Sequence, residues 1–426
     1  MSSTRREFLA ESLSWTAGLS LGAQFLPALC RGETGTAANP LPVAAVVTEY
    51  REISHADVIL GKILEGYDQQ GGPGPALKLV SLYTDQVPKE DLSREMSRKY
   101  GFKIVPTIAE ALTLGTGKLA VAGVILIGEH GDYPETPDTH QQMYPRRRFF
   151  DETADVFEKL GKVVPVFNDK HLAYAWADAK HMYDRARRMR IPFFAGSSLP
   201  VAWRNPSFQL PRDCRLTEAV AVGYGPLERY GFHTLEVLQC LVERRRGGET
   251  GVVAVQAVQG DQIWEAERAG LWSRGLLYAA LDKLPPESRK PGRIEDLFND
   301  EAAIFLIEYR DGLRAAAVLA NGVANQFAFA GQVTGAPAPL ATSILTQEHK
   351  PFGHFGYLVQ AIERLIQTGK APYPVERTLL TTGVLDAAMH SLAGGQKRRK
   401  TPELAVQYTA VDWPFPEGFP PGFHDR

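Results

Sequence analysis

The sequence predicts an α/β protein with two sheets. A doubly wound parallel sheet occupies residues 39–198, and a second α/β domain with a mixed, largely antiparallel open sheet occupies residues 199–395. Three observations carry this expectation. Short apolar runs alternate strictly with helix-period segments as far as residue 195, the pattern of parallel strands joined by crossover helices. After Gly196-Ser197-Ser198 the rhythm changes, and strand-like runs follow one another directly, which favours antiparallel pairing. The chain also has 426 residues with 44% apolar content, enough for two cores at about 100–200 residues per domain.

The elements follow in order. Residues 43–47 are a continuous apolar strand, and 56–66 carry Val58, Ile59, Ile63 and Leu64 at helical spacing. The Gly- and Pro-rich stretch 69–75 is a loop before the strand 77–83. Helices at 93–100 and 108–114 flank a short strand at 103–105. The strand 121–127, helix 146–160, strand 163–167, helix 172–189 and strand 191–195 complete the first set. In the second set, strands at 216–222, 251–259, 302–309, 313–320 and 325–331 are accompanied by helices at 230–244 and 262–282. Helices at 357–367 and 375–392 close the fold, and the Pro- and aromatic-rich tail within 396–426 reads as an extended strap.

Charge narrows the function. Against 49 Asp and Glu stand 47 Lys and Arg, so no basic field exists for nucleic acid. No apolar run reaches the roughly eighteen residues of a membrane span. Three cysteines, Cys30, Cys214 and Cys240, are too few for a disulfide scaffold. Residues 1–38 stand apart: Arg5-Arg6, then Glu7, Phe8 and Leu9 ahead of a moderately apolar stretch, read as a twin-arginine signal and linker. The expectation is a folded protein handed to the twin-arginine export machinery, cleaved near Ala37 or Ala38, and placed in the periplasm or otherwise outside the cytoplasm. Cys214 and Cys240 would then pair or stay free.

Three segments resemble the Gfo/Idh/MocA family of sugar and inositol oxidoreductases. Residues 161–170 end in Asp169-Lys170 and lead to Arg190-Ile-Pro-Phe-Phe-Ala-Gly196, similar to the family's strand ending in Glu-Lys-Pro. Gly231-Phe232-His233 opens a helix like the family's histidine motif. Residues 361–374, Ala-Ile-Glu-Arg-Leu-Ile-Gln-Thr-Gly-Lys-Ala-Pro-Tyr-Pro, resemble its C-terminal segment. The resemblance spans most of residues 42–395. It implies a Rossmann-like first domain, a sugar or cyclitol substrate, NAD or NADP held tightly enough to survive export, and pairing of copies through the open sheet. It also implies catalytic roles for Lys170 and His233, and places the cofactor along Thr48, Arg51, His55, Asp85, Glu129 and His130. Two departures stand out. The first strand–helix turn, residues 48–55, contains no glycine, and the lysine lies between Asp169 and His171.

The polar residues converge on the same place. Strand C-terminal ends of a doubly wound sheet share one crevice, which gathers Glu49 to His55, Asp85, Glu129-His130, Asp132 and Asp169-Lys170-His171. Lys170, desolvated beside His171, suits proton transfer at a sugar hydroxyl, with Asp169 tuning its charge and His233 relaying the proton. Glu129, His130, Asp132 and His171 alternatively suit a divalent metal, although no spacing is diagnostic. Tyr144, Arg146, Trp203, Arg204 and His354 are candidate carbohydrate contacts. Two other readings stay open beside the oxidoreductase: a nicotinamide-independent lyase, epimerase or hydrolase, and a carbohydrate-binding protein without catalysis.

Overall fold

The computed structural model describes residues 39–423, and the twin-arginine expectation falls outside them. Six strands, β1 (Leu41–Val47), β2 (Leu77–Thr84), β3 (Lys103–Ile104), β4 (Gly123–Ile127), β5 (Val166–Asp169) and β6 (Phe193–Gly196), form the first sheet. Their spatial order is β3-β2-β1-β4-β5-β6 and every pair is parallel. Chain direction across the sheet therefore reverses between β1 and β4, and the crevice opens above that pair. The apolar runs that marked these strands are buried throughout β4 to β6, as strands covered on both faces require.

The helices of this half are α1 (His55–Glu65), α2 (Ser93–Tyr100), α3 (Ile108–Thr113), α4 (Arg146–Leu160) and α5 (Trp176–Met189). Those of the second half are α6 (Leu227–Val242), α7 (Asp261–Arg268), α8 (Arg274–Leu281), α9 (Ile294–Leu297), α10 (Gly353–Thr368) and α11 (Val375–Ala393). The expected single helix over 262–282 is two. Gly270 turns the chain through φ +68°, and the Ser273 hydroxyl caps α8 by accepting from the Leu276 amide at 3.1 Å.

The second sheet has eight strands: β7 (Trp203–Asn205), β8 (Leu216–Gly223), β9 (Val252–Gln259), β10 (Ala303–Tyr309), β11 (Arg314–Leu319), β12 (Phe327–Val333), β13 (Leu340–Leu345) and β14 (Arg399–Lys400). Their order is β14-β9-β10-β11-β8-β12-β13-β7, antiparallel except for β8 with β11. On one face α6 and α11 pack against Ala219, Ala221, Phe305 and Phe329. On the other, α7 and α8 cover Val220, Val222, Ile304 and Val318.

The expected domain boundary needs one correction. Helix α10 packs on the first sheet, where Leu358, Val359, Ile362 and Leu365 join the core of β1 and α1. Gly123 of β4 permits this approach, because a Cβ there would lie 2.7 Å from Ile366. An apolar helical stripe shows that a helix packs, not which sheet it packs against. In the tail, Trp413 joins the first core, Phe415 lies against Arg204, and the Pro421 carbonyl accepts from Gln347. Among the described residues, no helix is long and apolar enough to cross a membrane.

Candidate functional site

The ends of β1, β4 and β5 deliver the chemistry. Just beyond β4, Glu129 is fully enclosed and bridges two cations, with Oε1 2.7 Å from Lys170 Nζ and Oε2 2.6 Å from Arg146 Nη2. Burial alone would raise this carboxyl. Lys170 and Arg146 outweigh burial and hold it well below the usual carboxylate range. Arg146 also donates to His171 Nε2 at 2.9 Å, and the Thr48 hydroxyl donates to the Glu129 carbonyl at 2.6 Å. The pair is thus fixed from both sides of the crevice.

A second pair stands beside it. His55, the first residue of α1, places Nδ1 2.7 Å from the buried Asp169 carboxylate at the end of β5. An imidazole donating Nδ1–H to a buried carboxylate presents Nε2 as a base. His55 and Lys170 line one cavity of about 210 Å³ together with Glu129, His130, Tyr230, His233, Glu348, His354 and Phe355. His233 comes from α6 and His354 from the second residue of α10, so both halves of the fold build the chamber. Burial pushes the His233 ring well below its ordinary value, helped by Lys170 and His55, and it takes His130 and His354 down to about 3. Three neutral imidazoles therefore face a cavity that also holds a lysine. The His233 Nδ1 and His130 Nε2 atoms are buried without a protein partner, as groups awaiting a ligand are.

The local backbone is strained around this chamber. Ile53, His130, Lys170 and Phe352 all line it, and all four have φ between +50° and +68°. They are four of the ten non-glycine residues with positive φ among those described. Such conformations cost about 1–3 kcal/mol each and gather where geometry is prescribed by function.

Other expected site residues are placed differently. His171 is buried away from the cavity, between Arg146 and Glu228, so it orients rather than reacts. Arg146 is wholly enclosed beneath the Tyr144 ring and pairs with Glu129; neither Arg146 nor Tyr144 lines the cavity. Trp203 packs edge-on against Tyr357, and Arg204 is spent on the Pro200 and Phe208 carbonyls beneath Phe415, holding the tail. Cys214 and Cys240 are both free thiols. Among the described residues, no group of three or more His, Cys, Asp or Glu side chains is placed to hold a metal ion. Sequence reading missed Tyr230 and Glu348 as cavity walls, although Tyr230 directly precedes Gly231-Phe232-His233 and Glu348 lies on the loop leading to His354.

The strand order of the first sheet and the open mixed sheet behind it define the fold class of the Gfo/Idh/MocA-type dehydrogenases. Its particular solved members include GenD2 from gentamicin A biosynthesis, in complex with NAD. That structure matches with TM-score 0.53 and 13% identity over 86% of this chain and 97% of that one. A probable dehydrogenase from Thermotoga maritima matches with TM-score 0.51 and 13% identity over 85% and 100% of the two chains. Scyllo-inositol dehydrogenase from Lactobacillus casei gives TM-score 0.50 and 11% identity over 85% and 98%. No family model and no curated protein sequence matches the chain.

In dinucleotide-binding turns, glycines bring the backbone to the pyrophosphate and the free amides of a helix N-terminus receive it. Here those positions are filled from within. The Ile53 amide donates to the Asp57 carboxylate at 2.9 Å, and the Arg51 and Asp57 amides both donate to the Ser54 hydroxyl at 3.3 Å. Tyr50 lies fully buried in the turn, with Glu49, Glu52 and Asp57 around it. Its one cation, Arg51, is held by Glu49 at 2.6 Å and by His130 at 3.3 Å. Asp85, the expected ribose ligand, accepts instead from Tyr83 and Tyr133 at 2.7 Å each and from Arg148. These residues do not fit a dinucleotide pyrophosphate: no glycine opens the turn, the Arg51, Ile53 and Asp57 amides are taken, and Glu49, Glu52 and Asp57 stand against the single arginine.

Proposed function

We propose that the protein is an acid–base enzyme acting on a sugar or cyclitol derivative, built on a dehydrogenase fold whose nucleotide turn has been given to proton transfer. The observation that carries this reading is the His55–Asp169 pair, opening on the same cavity as the Lys170–Glu129 pair. His55 Nε2 takes a proton from the carbon beside a substrate carbonyl, and Asp169 stabilises the imidazolium that forms. The Lys170 ammonium faces the oxygen on which negative charge develops. His233, neutral and unpartnered at Nδ1, is available to a ring hydroxyl. Delivery of a proton to the opposite face of that carbon completes an epimerisation, and loss of a group from the next carbon completes an elimination. Neither outcome changes the oxidation level of the molecule as a whole.

A panel of keto-sugars and uronates in deuterium oxide tests this by mass spectrometry. The expected result is deuterium at one carbon of at least one panel member. The exchange should fall about 100-fold or more in His55→Gln, in line with the usual contribution of a general base. Exchange that survives His55→Gln intact would refute the assignment.

A second reading is favoured by one observation, that Lys170 and His233 face a common cavity as the family resemblance assigns them. It is a sugar or cyclitol oxidoreductase that retains NAD or NADP by contacts outside the turn. Nucleotide released on denaturing the purified protein would establish it. The Arg5-Arg6 segment supports a protein exported by the twin-arginine route, which cell fractionation with Arg5→Lys and Arg6→Lys tests.

A further inference from the structure

The His55–Lys170 chamber has a larger neighbour. A cavity of about 420 Å³ lies in the second half of the fold, and Tyr230, Thr346 and Glu348 belong to the walls of both. The smaller chamber, about 210 Å³, is below the roughly 300–1,000 Å³ of typical ligand pockets, whereas the larger falls within that range. One ring fits where the chemistry is, and room for more continues past the three shared residues.

The two chambers differ in character. The smaller sets Lys170, Arg229 and four histidines against Glu129 and the shared Glu348. The larger is walled by the carboxylates of Glu287 and Glu348 and by the rings of Tyr224 and Tyr230, whose centroids lie 5.1 Å apart. Aromatic rings with polar edges cover the C–H faces of sugars, and carboxylates accept from hydroxyl or ammonium groups while repelling phosphate. Gln326, also in this wall, is already committed, exchanging hydrogen bonds with the backbone of Thr346 through both ends of its amide. Glu348 accepts from the Thr346 hydroxyl at 2.5 Å through Oε1, so Glu287, the rest of the Glu348 carboxylate and the tyrosine rings set the selectivity.

We infer that the larger cavity is a second sugar subsite, so that the substrate is a glycoside of at least two rings. The reacting ring sits in the His55–Lys170 chamber, and a neutral or amino-substituted ring sits in the larger cavity, against the tyrosine rings and within reach of Glu287 and Glu348. This rests on the reading that the smaller chamber receives a sugar ring.

Titration calorimetry with D-glucose, cellobiose, chitobiose and its fully deacetylated form, and glucose 6-phosphate tests the assignment. Cellobiose or chitobiose should bind at least ten-fold more tightly than D-glucose, and a glucose 6-phosphate preference should be absent. Asn325 borders the larger cavity and is exposed, so Asn325→Trp fills that space without disturbing a core. It should bring the disaccharide-to-monosaccharide ratio to about one. The near-isosteric Glu348→Gln should selectively weaken the deacetylated amino disaccharide. Equal affinity of the wild type for one and two rings, or a ratio that survives Asn325→Trp, overturns the subsite. Deuterium exchange in a monosaccharide with no gain from a second ring leaves the proposed chemistry standing and removes only the subsite. A two-ring gain abolished by Asn325→Trp, with no exchange in any sugar, does the reverse.

Discussion

Glu129 holds two buried cations at the cavity wall, so the three charges are not equivalent to remove. Glu129→Gln leaves Lys170 and Arg146 buried without a counter-charge and should cost about 3–5 kcal/mol in urea denaturation. Lys170→Met leaves the Glu129–Arg146 pair intact and should cost clearly less while abolishing activity. Equal losses would mean that the three charges do not act as described. The neighbouring histidines set a pH dependence of their own. His354 and His233 have folded values below the ordinary 6.5, because burial disfavours the charged ring. Above pH 6.5 folded and unfolded chains are both neutral at these positions, and stability is at its plateau. Below it the unfolded rings take up protons that the folded ones refuse. Stability should therefore fall by about 1.4 kcal/mol per pH unit per ring, for His354 down to about pH 3. Glu129, depressed when folded, contributes fully above the ordinary carboxyl value of 4.5, and its share is lost only as pH falls through its folded value. Urea midpoints measured from pH 7.5 to 4.5 should thus decline from about 6.5 downward, and His354→Gln should flatten the slope. A profile level down to pH 4.5 would contradict the neutral-ring description.

At the level of elements, α6 is the piece whose seating matters most, because it carries His233 to the crevice while packing on the second sheet. Gly231 allows that seating: a Cβ there would lie 2.8 Å from the Phe305 ring. Gly231→Ala gains about 1 kcal/mol of helix propensity but meets an overpacking cost of about 1–3 kcal/mol, so a lowered Tm and reduced turnover are expected together. Elements of this kind are largely readable from the chain. The strands β1, β2, β4, β5 and β6 announce themselves as apolar runs, and the residues that follow those runs, Glu129, His130, Asp169 and Lys170, fall on one rim by the alternating pattern alone. The pairing of His55 with Asp169 is not readable in that way. The two lie 114 residues apart, and only the spatial order of β1, β4 and β5 makes them neighbours. Arg146 misleads for a related reason, since it opens a run of three arginines of which it alone turns inward. The short β7 and β14 escape because two or three residues carry no period.

At the scale of the whole molecule, one face of the second sheet is closed by helices of its own chain. Val220, Val222, Ile304 and Val318 are already covered by α7 and α8 of the same chain, so light scattering should give the mass of a single chain. A dimer that persists after α8 is made strongly charged on its exposed side would show that pairing uses another surface. The first strand–helix turn is closed by its own side chains. Restoring a nucleotide cradle would mean deleting the buried Tyr50 ring, removing Asp57 from the Ile53 amide and reversing the charge at Glu49. Deleting a buried aromatic ring alone costs about 3–5 kcal/mol, and no single change in the series would bring binding in return. The turn is therefore self-locking: the contacts that fill it also hold it folded, so emptying it for any ligand runs through a less stable protein.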